Sequence, residues 1–128
     1  MKYIVIGLGT FGLSLAEKLT KMGNEVIGVD SDYNKVEGVK EKISHAICMN
    51  ATDEYTMKGL PFKDTDVVIV AIGEDRGANV VASALVKKLH PICTHWQNSL
   101  DGWMTIMHQA SHLQKVINGR MQAWCLTM

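Results

Sequence analysis

The 128-residue sequence has no excess of charge of either sign: 13 Lys and Arg stand against 13 Asp and Glu, for a formal net charge of zero. Such a chain carries no global basic field, which argues against nucleic acid as a partner. Lys40 and Lys42 flank Glu41 and read as a solvated helix face. No apolar run approaches the roughly 20 residues needed to span a bilayer. Nothing after Lys2 resembles a signal peptide, so a cytoplasmic chain is expected. Cysteine is sparse, with Cys48, Cys93 and Cys125 odd in number and widely spaced. That pattern implies neither a disulfide framework nor a zinc site. Cys48 sits in an apolar pattern and reads as a buried thiol. His108 and His112 are four apart and would share a helix face. No acid accompanies them as in HExxH, so no metal site is expected. No Ser-His-Asp, Cys-His or paired-acid constellation stands out, and the adjacent Glu74 and Asp75 suit helix capping better than catalysis.

What the chain does have is concentrated in its first thirty residues. The apolar run Tyr3-Ile4-Val5-Ile6 leads into Gly7-Leu8-Gly9-Thr10-Phe11-Gly12, and a helical pattern of Leu13, Ala16 and Leu19 leads away. A second apolar run, Val26-Ile27-Gly28-Val29, ends in Asp30. Strand, glycine turn, helix, strand and acid, with the acid about 20 residues on, form the dinucleotide-binding fingerprint. Gly7 would turn the chain off the strand, Gly9 would let a pyrophosphate approach the backbone, and Gly12 would let the helix pack close to the sheet. The helix N-terminus would face the phosphates with unpaired N–H groups. Asp30 would accept hydrogen bonds from the ribose hydroxyls of an adenosine half.

The pattern then repeats. Strands are expected at residues 2–6, 25–29, 45–49 and 67–72, the last continuously apolar as a doubly buried parallel strand should be. Helices are expected at 10–22, from a cap at Ser31 or Asp32 with Val36, Val39 and Ile43 buried, from Asp53 to a stop at Pro61, and at 76–89. In the last, Val81, Ala82, Leu85 and Leu89 would face the sheet. Alternating strands and helices mean a Rossmann-like α/β fold: a doubly wound parallel sheet in the order 3-2-1-4, with room for a fifth strand beyond the fourth. Ligands bind such sheets at the strand ends beside the switch point. That adds Asp30 and Ser31 after the second strand, Asn50, Ala51 and Thr52 after the third, and Ile72, Gly73 and Glu74 after the fourth.

Lys2-Tyr3-Ile4-Val5-Ile6-Gly7-Leu8-Gly9, Val29-Asp30, Asn50-Ala51-Thr52-Asp53 and Val68-Ile69-Val70-Ala71-Ile72-Gly73-Glu74-Asp75 together resemble the RCK N-terminal domain, also called KTN or TrkA-N, over about residues 1–89. The resemblance implies a nucleotide-sensing regulatory domain rather than an enzyme. Such domains bind NAD(H) or ATP/ADP, assemble as homodimers and rings, and gate potassium transporters or channels from the cytoplasmic face of the membrane. On matching positions, Gly7, Gly9 and Gly12, with Leu8, Thr10 and Phe11 between them, would hold the phosphates. Asp30 would hold the ribose, with Ser31 next to it as a further cofactor-binding position, and 50–52 would frame the adenine. Thr10 stands where ATP-binding relatives often carry arginine, which favours NAD(H), with ATP, ADP or AMP as the alternative. Asn50 stands where the family usually has aspartate, which removes a charge and keeps the hydrogen-bonding capacity.

After His90 the composition shifts: all three tryptophans and four of the five histidines lie from there on. This divides the chain into a nucleotide-binding domain at 1–98 and an atypical tail at 99–128. The tail is either an altered C-terminal reading or a genuine variant. Trp103, Ile106, Met107, Ala110, Leu113 and Ile117 fall at helical spacing with Ser99 as a cap, so a helix is expected there. Two other functions stay open. An NAD-dependent oxidoreductase fragment would need a substrate domain, for which residues 90–128 are too few. An oligomerisation module with a vestigial site would differ from a sensor only in failing to bind nucleotide.

Overall fold

Strand β1 (Lys2–Ile6) buries every residue after Lys2, which demands cover on both faces of the sheet. The computed structural model, which describes residues 1–73 and 75–89 and the backbone at 93–97 and 105–109, supplies that cover. Tyr3 and Val5 pack on one side with Leu15, Ala16 and Leu19 of α1 (Thr10–Lys21) and with Val36 and Val39 of α2 (Tyr33–Val39). Ile4 and Ile6 pack on the other side with Met57 of α3 (Glu54–Met57) and with Ala82 and Val86 of α4 (Arg76–Leu89). Strand β4 (Val67–Val70) divides in the same way, Val67 and Ile69 joining the first core and Val68 and Val70 the second. The period of two along a strand sorts alternate residues between two helical layers.

Helix ends follow their capping residues. The Asp32 carboxylate accepts the Asn34 N–H at 2.9 Å and starts α2, and Asp53 accepts the Tyr55 N–H at 3.2 Å and starts α3. Gly23, at φ +91°, takes the chain out of α1 toward β2 (Glu25–Asp30). Pro61 stands at the head of a 3₁₀ turn, Phe62–Asp64, that leads into β4.

β1 pairs in parallel with β2 and with β4, and β2 pairs in parallel with β3 (His45–Cys48). These four strands stand in the expected order 3-2-1-4. Beyond β4 the sheet departs from an all-parallel plan. The chain forms β5 (Cys93–Gln97) and β6 (Thr105–Gln109); β6 pairs antiparallel with β4, and β5 pairs antiparallel with β6 on the outside. The full order is β3-β2-β1-β4-β6-β5.

The helical stripe through Ile106 and Met107 is strand, not helix, and His108 lies on that same strand. β4 is buried and needs hydrogen-bond partners on the side away from β1, and β6 provides them. The sheet thereby crosses the boundary expected after residue 98, while Ser99, Trp103 and the stripe from Ala110 onward lie outside the described residues. Cys48 is exposed rather than buried, because β3 is the outermost strand on its side of the sheet. On α4 the inward stripe runs through Asn79, Ala82 and Val86, with Leu85 and Leu89 beside it, and turns Val81 toward solvent at 43% exposure.

Candidate functional site

The glycine turn after β1 is made by contacts that admit no side chain. Gly7 has φ +101°, and a Cβ there would stand 2.8 Å from the carbonyl carbon and oxygen of Ala71. Its N–H donates to the Val29 carbonyl at 2.7 Å, tying the end of β1 to the end of β2. A Cβ on Gly12 would collide with the Gly7 carbonyl oxygen, so α1 begins hard against the turn. Gly9 differs: a Cβ there would meet nothing within 4 Å. It is the N-cap of α1, it offers no side-chain cap, and the first turn of α1 holds no acid. The positive end of the α1 dipole therefore lies beside open space at Gly9.

Asp30 ends β2 and is held from both sides. Its Oδ2 accepts the Leu8 N–H at 2.8 Å and its Oδ1 accepts the Asp32 N–H at 2.8 Å. Each carboxylate oxygen keeps a lone pair for a further donor. The carboxylate therefore pins the glycine turn to the β2–α2 loop and still has capacity for a diol. After β3, the Asn50 Oδ1 accepts the Thr52 N–H at 2.9 Å and its hydroxyl at 2.7 Å, closing a side-chain turn. After β4, the Asp75 Oδ1 accepts the Ala78 N–H at 3.0 Å and caps α4. Asn79, 2% exposed, donates through Nδ2 to the Ile72 carbonyl at 3.1 Å and to that of Val70 at 3.5 Å.

These four strand ends enclose a cleft of about 430 Å³. Gly7 and Gly9 line it, with Asp30 and Ser31, Asn50, Ala51 and Thr52, and Ile72 and Gly73. Four expected residues stand behind it. Leu8 is buried in the core and reaches the site through its N–H to Asp30. Gly12 lies under the turn, Phe11 packs against the α1–α2 core, and Thr10 is exposed at the head of α1. Glu74 lies outside the described residues. The sequence reading did not include Asp32, Lys35, Met49, Asp75 and Ala78, which also line the cleft. Lys35 had a signal of its own: a cation in the first turn of a helix opposes the helix dipole.

The model of the TrkA-N domain family matches residues 3–117. The chain belongs to the TrkA-N domain family. The match runs well past Leu89, through both added strands. Ktr system potassium uptake protein C of Bacillus subtilis is 39% identical over 99 residues, 76% of this chain and 45% of that protein. Ktr system potassium uptake protein A of Vibrio alginolyticus is 34% identical over 115 residues, 90% of this chain and 50% of that protein. The chain spans half or less of the length of these curated relatives. Among solved structures, the NAD(P)-binding domain of an exopolyphosphatase-related protein from Archaeoglobus fulgidus superposes with a TM-score of 0.62 at 28% identity, over 68% of this chain and 65% of that one. The TrkA-N domain of an inner membrane protein from Escherichia coli gives the same TM-score at 20% identity, over 70% and 66%, and shares the fold. Among the described residues of this TrkA-N domain, no helix is long and apolar enough to cross a membrane.

Proposed function

We propose that this TrkA-N domain binds an adenine nucleotide, NAD(H) ahead of ATP, ADP or AMP, as the sensing part of a potassium transporter or channel. A membrane partner would hold it at the inner face, where copies assemble as a dimer or ring. The observation that carries the reading is one cleft that joins a turn open at Gly9 to a carboxylate, Asp30, with lone pairs to spare. The potassium uptake proteins among its relatives supply the context. Asp30 favours a free 2′-hydroxyl over a 2′-phosphate by charge. The dinucleotide is preferred to ATP because Thr10, the first residue of α1, offers no cation to a terminal phosphate.

Regulation is favoured over catalysis by what the polar groups of the cleft are doing. Asp30, Asp32, Asn50 and Asp75 each accept a backbone N–H and hold a loop in shape. None is set up as an acid or base beside a reacting carbon. Mass spectrometry of the supernatant from denatured protein should find an adenine nucleotide, and calorimetry should find NADH tighter than NADPH. Tighter NADPH binding overturns the ribose assignment. Sustained change at 340 nm across a panel of small metabolites, lost in Gly9→Val, would replace the regulator with an enzyme.

A further inference from the structure

Asp75 uses one carboxylate oxygen for the fold. Its Oδ1 accepts the Ala78 N–H at 3.0 Å and caps α4. Its Oδ2 keeps its lone pairs, and the exposed side chain lines the cleft beside Ile72 and Gly73. A helix cap needs an acceptor, and Ser, Thr or Asn serve there about as well as Asp. The full negative charge is a separate feature, and it stands in the cleft.

Its position along the cleft follows from the sheet. β2 and β4 flank β1 on opposite sides. Among the described residues, the acids lining the cleft divide accordingly: Asp30 and Asp32 at the end of β2, Asp75 after β4. A dinucleotide crosses such a sheet at the switch point with one mononucleotide on each side. Adenosine bound through Asp30 and pyrophosphate at the turn of Gly7 and Gly9 put the nicotinamide half on the β4 side, where Asp75 stands.

We infer that Asp75 is a specificity-determining residue that favours the oxidised dinucleotide, because its carboxylate faces a ring that is cationic in NAD⁺ and neutral in NADH. This deepens the nucleotide-binding reading and rests on it. The two forms share adenine, both riboses and the pyrophosphate, so what Asp30 and the glycine turn contribute cancels in their ratio. The ring charge remains, and one unit charge at contact with a carboxylate in an open, wet cleft shifts the ratio by a factor of about five. The same carboxylate holds the first turn of α4, so the charge of the ring and the start of that helix bear on one group.

The test is calorimetric titration of the wild-type chain, Asp75→Asn and Asp75→Ser with NAD⁺, NADH and ADP, at low and at high salt. Asparagine and serine both cap helices, and a thermal melt checks that each variant folds. At low salt the wild-type chain is expected to bind NAD⁺ about fivefold more tightly than NADH, with the preference shrinking at high salt as the exposed charge is screened. A capping role by itself would give no such salt dependence of the ratio. Both variants should bring the ratio to within about twofold of one at either salt. ADP, which lacks the nicotinamide half, reports the adenosine end by itself. A wild-type chain that binds NADH as tightly as NAD⁺ or more tightly, or a preference for NAD⁺ that survives in both variants, overturns the inference and leaves nucleotide binding standing. Binding of ADP with no binding of either dinucleotide overturns it too. A wild-type chain that binds none of the three overturns both readings.

Discussion

At the scale of single residues, the three glycines of the turn serve different ends, and substitution separates them. Gly12→Ala drives a methyl into the Gly7 carbonyl, where backbone has no room to move. It should cost about 1–3 kcal/mol, in the manner of an overpacked core, and lower the melting temperature. Gly9→Ala meets open space at an ordinary negative φ of −70°. It should leave stability within about 0.5 kcal/mol and still weaken nucleotide binding, because the methyl occupies the approach to the α1 N-terminus. Paired melts and titrations check both; equal stability loss in the two variants would remove the distinction. Asp30 combines the two roles. Asp30→Ala should weaken nucleotide binding by about 1.5–3 kcal/mol and also destabilise the apo chain by about 1–3 kcal/mol, as the N–H groups of Leu8 and Asp32 lose their acceptor. Asp30→Asn retains one oxygen acceptor and should recover part of that stability but little of the affinity. Denaturant titration without ligand and calorimetry with it separate the terms.

At the scale of elements, the link between β4 and α4 sets one wall of the cleft. Asn79 sits in α4 and grips the carbonyls of Val70 and Ile72 from a fully buried position. Asn79→Ala should cost about 1–3 kcal/mol for buried acceptors left unpaired, read by denaturant titration, and should raise hydrogen exchange at residues 71–73 above that in β1. A second tie joins α3 to α4: the Lys88 Nζ stands 2.8 Å from the Glu54 Oε1. The hydrogen bond and charge of Lys88 pull the Glu54 carboxyl below its ordinary value of 4.5. With the folded value depressed, the contribution is full above pH 4.5 and fades as pH falls through the folded value. The pair is exposed and its contribution small, so Lys88→Met should lower stability slightly at pH 7 and not at all well below the folded value, which leaves the acid limb a little shallower. The elements legible in the sequence were those with long or doubly buried patterns: β1, β4, α1 and α4 declared their type and nearly their bounds. The caps of α2 and α3 were legible because Asp32 and Asp53 act on the chain just after them. β6 was not, since Ile106 and Met107 suit either period over so short a span, and the demand of β4 for a partner is tertiary. The exposure of Cys48 was hidden for a related reason: whether a strand lies at the sheet edge depends on what does not pair with it. In the site, Gly7, Gly9 and the described strand-end residues line the cleft, Leu8 and Gly12 brace it, and Thr10 and Phe11 do not line it, whereas Lys35 and Asp75 enter through helix geometry that strand ends do not encode.

At the scale of the molecule, one sheet carries two halves that are joined within the sheet at β1 and β4, and the cleft lies where they part. A ligand there touches loops from both halves. Its effect on an assembly depends on unequal affinity for the states of that assembly, whatever its tightness. The outer face of α4 offers a surface on which copies could meet: Val80 is 67% exposed and Val81 43%, with Ala84 also exposed between these and the lysines near the helix end. Two adjacent exposed valines on a regular helix invite burial against an apolar surface, since each contributes roughly 1.5–3 kcal/mol when fully covered. The same helix is tied through Asn79 and the Asp75 cap to the β4 wall of the cleft. A nucleotide that resets Ile72 and Gly73 would therefore reset the angle of this face. Light scattering of the purified chain is expected to give at least twice the mass of one 128-residue chain. The Val80→Glu, Val81→Glu pair should return it to monomer while leaving NADH affinity within about threefold, because neither residue lines the cleft. The dimer constant should also shift between NADH and ADP. A monomer at high protein concentration, or a dimer indifferent both to the valine substitutions and to the nucleotide, would put the contact elsewhere and remove α4 as the transmitting element.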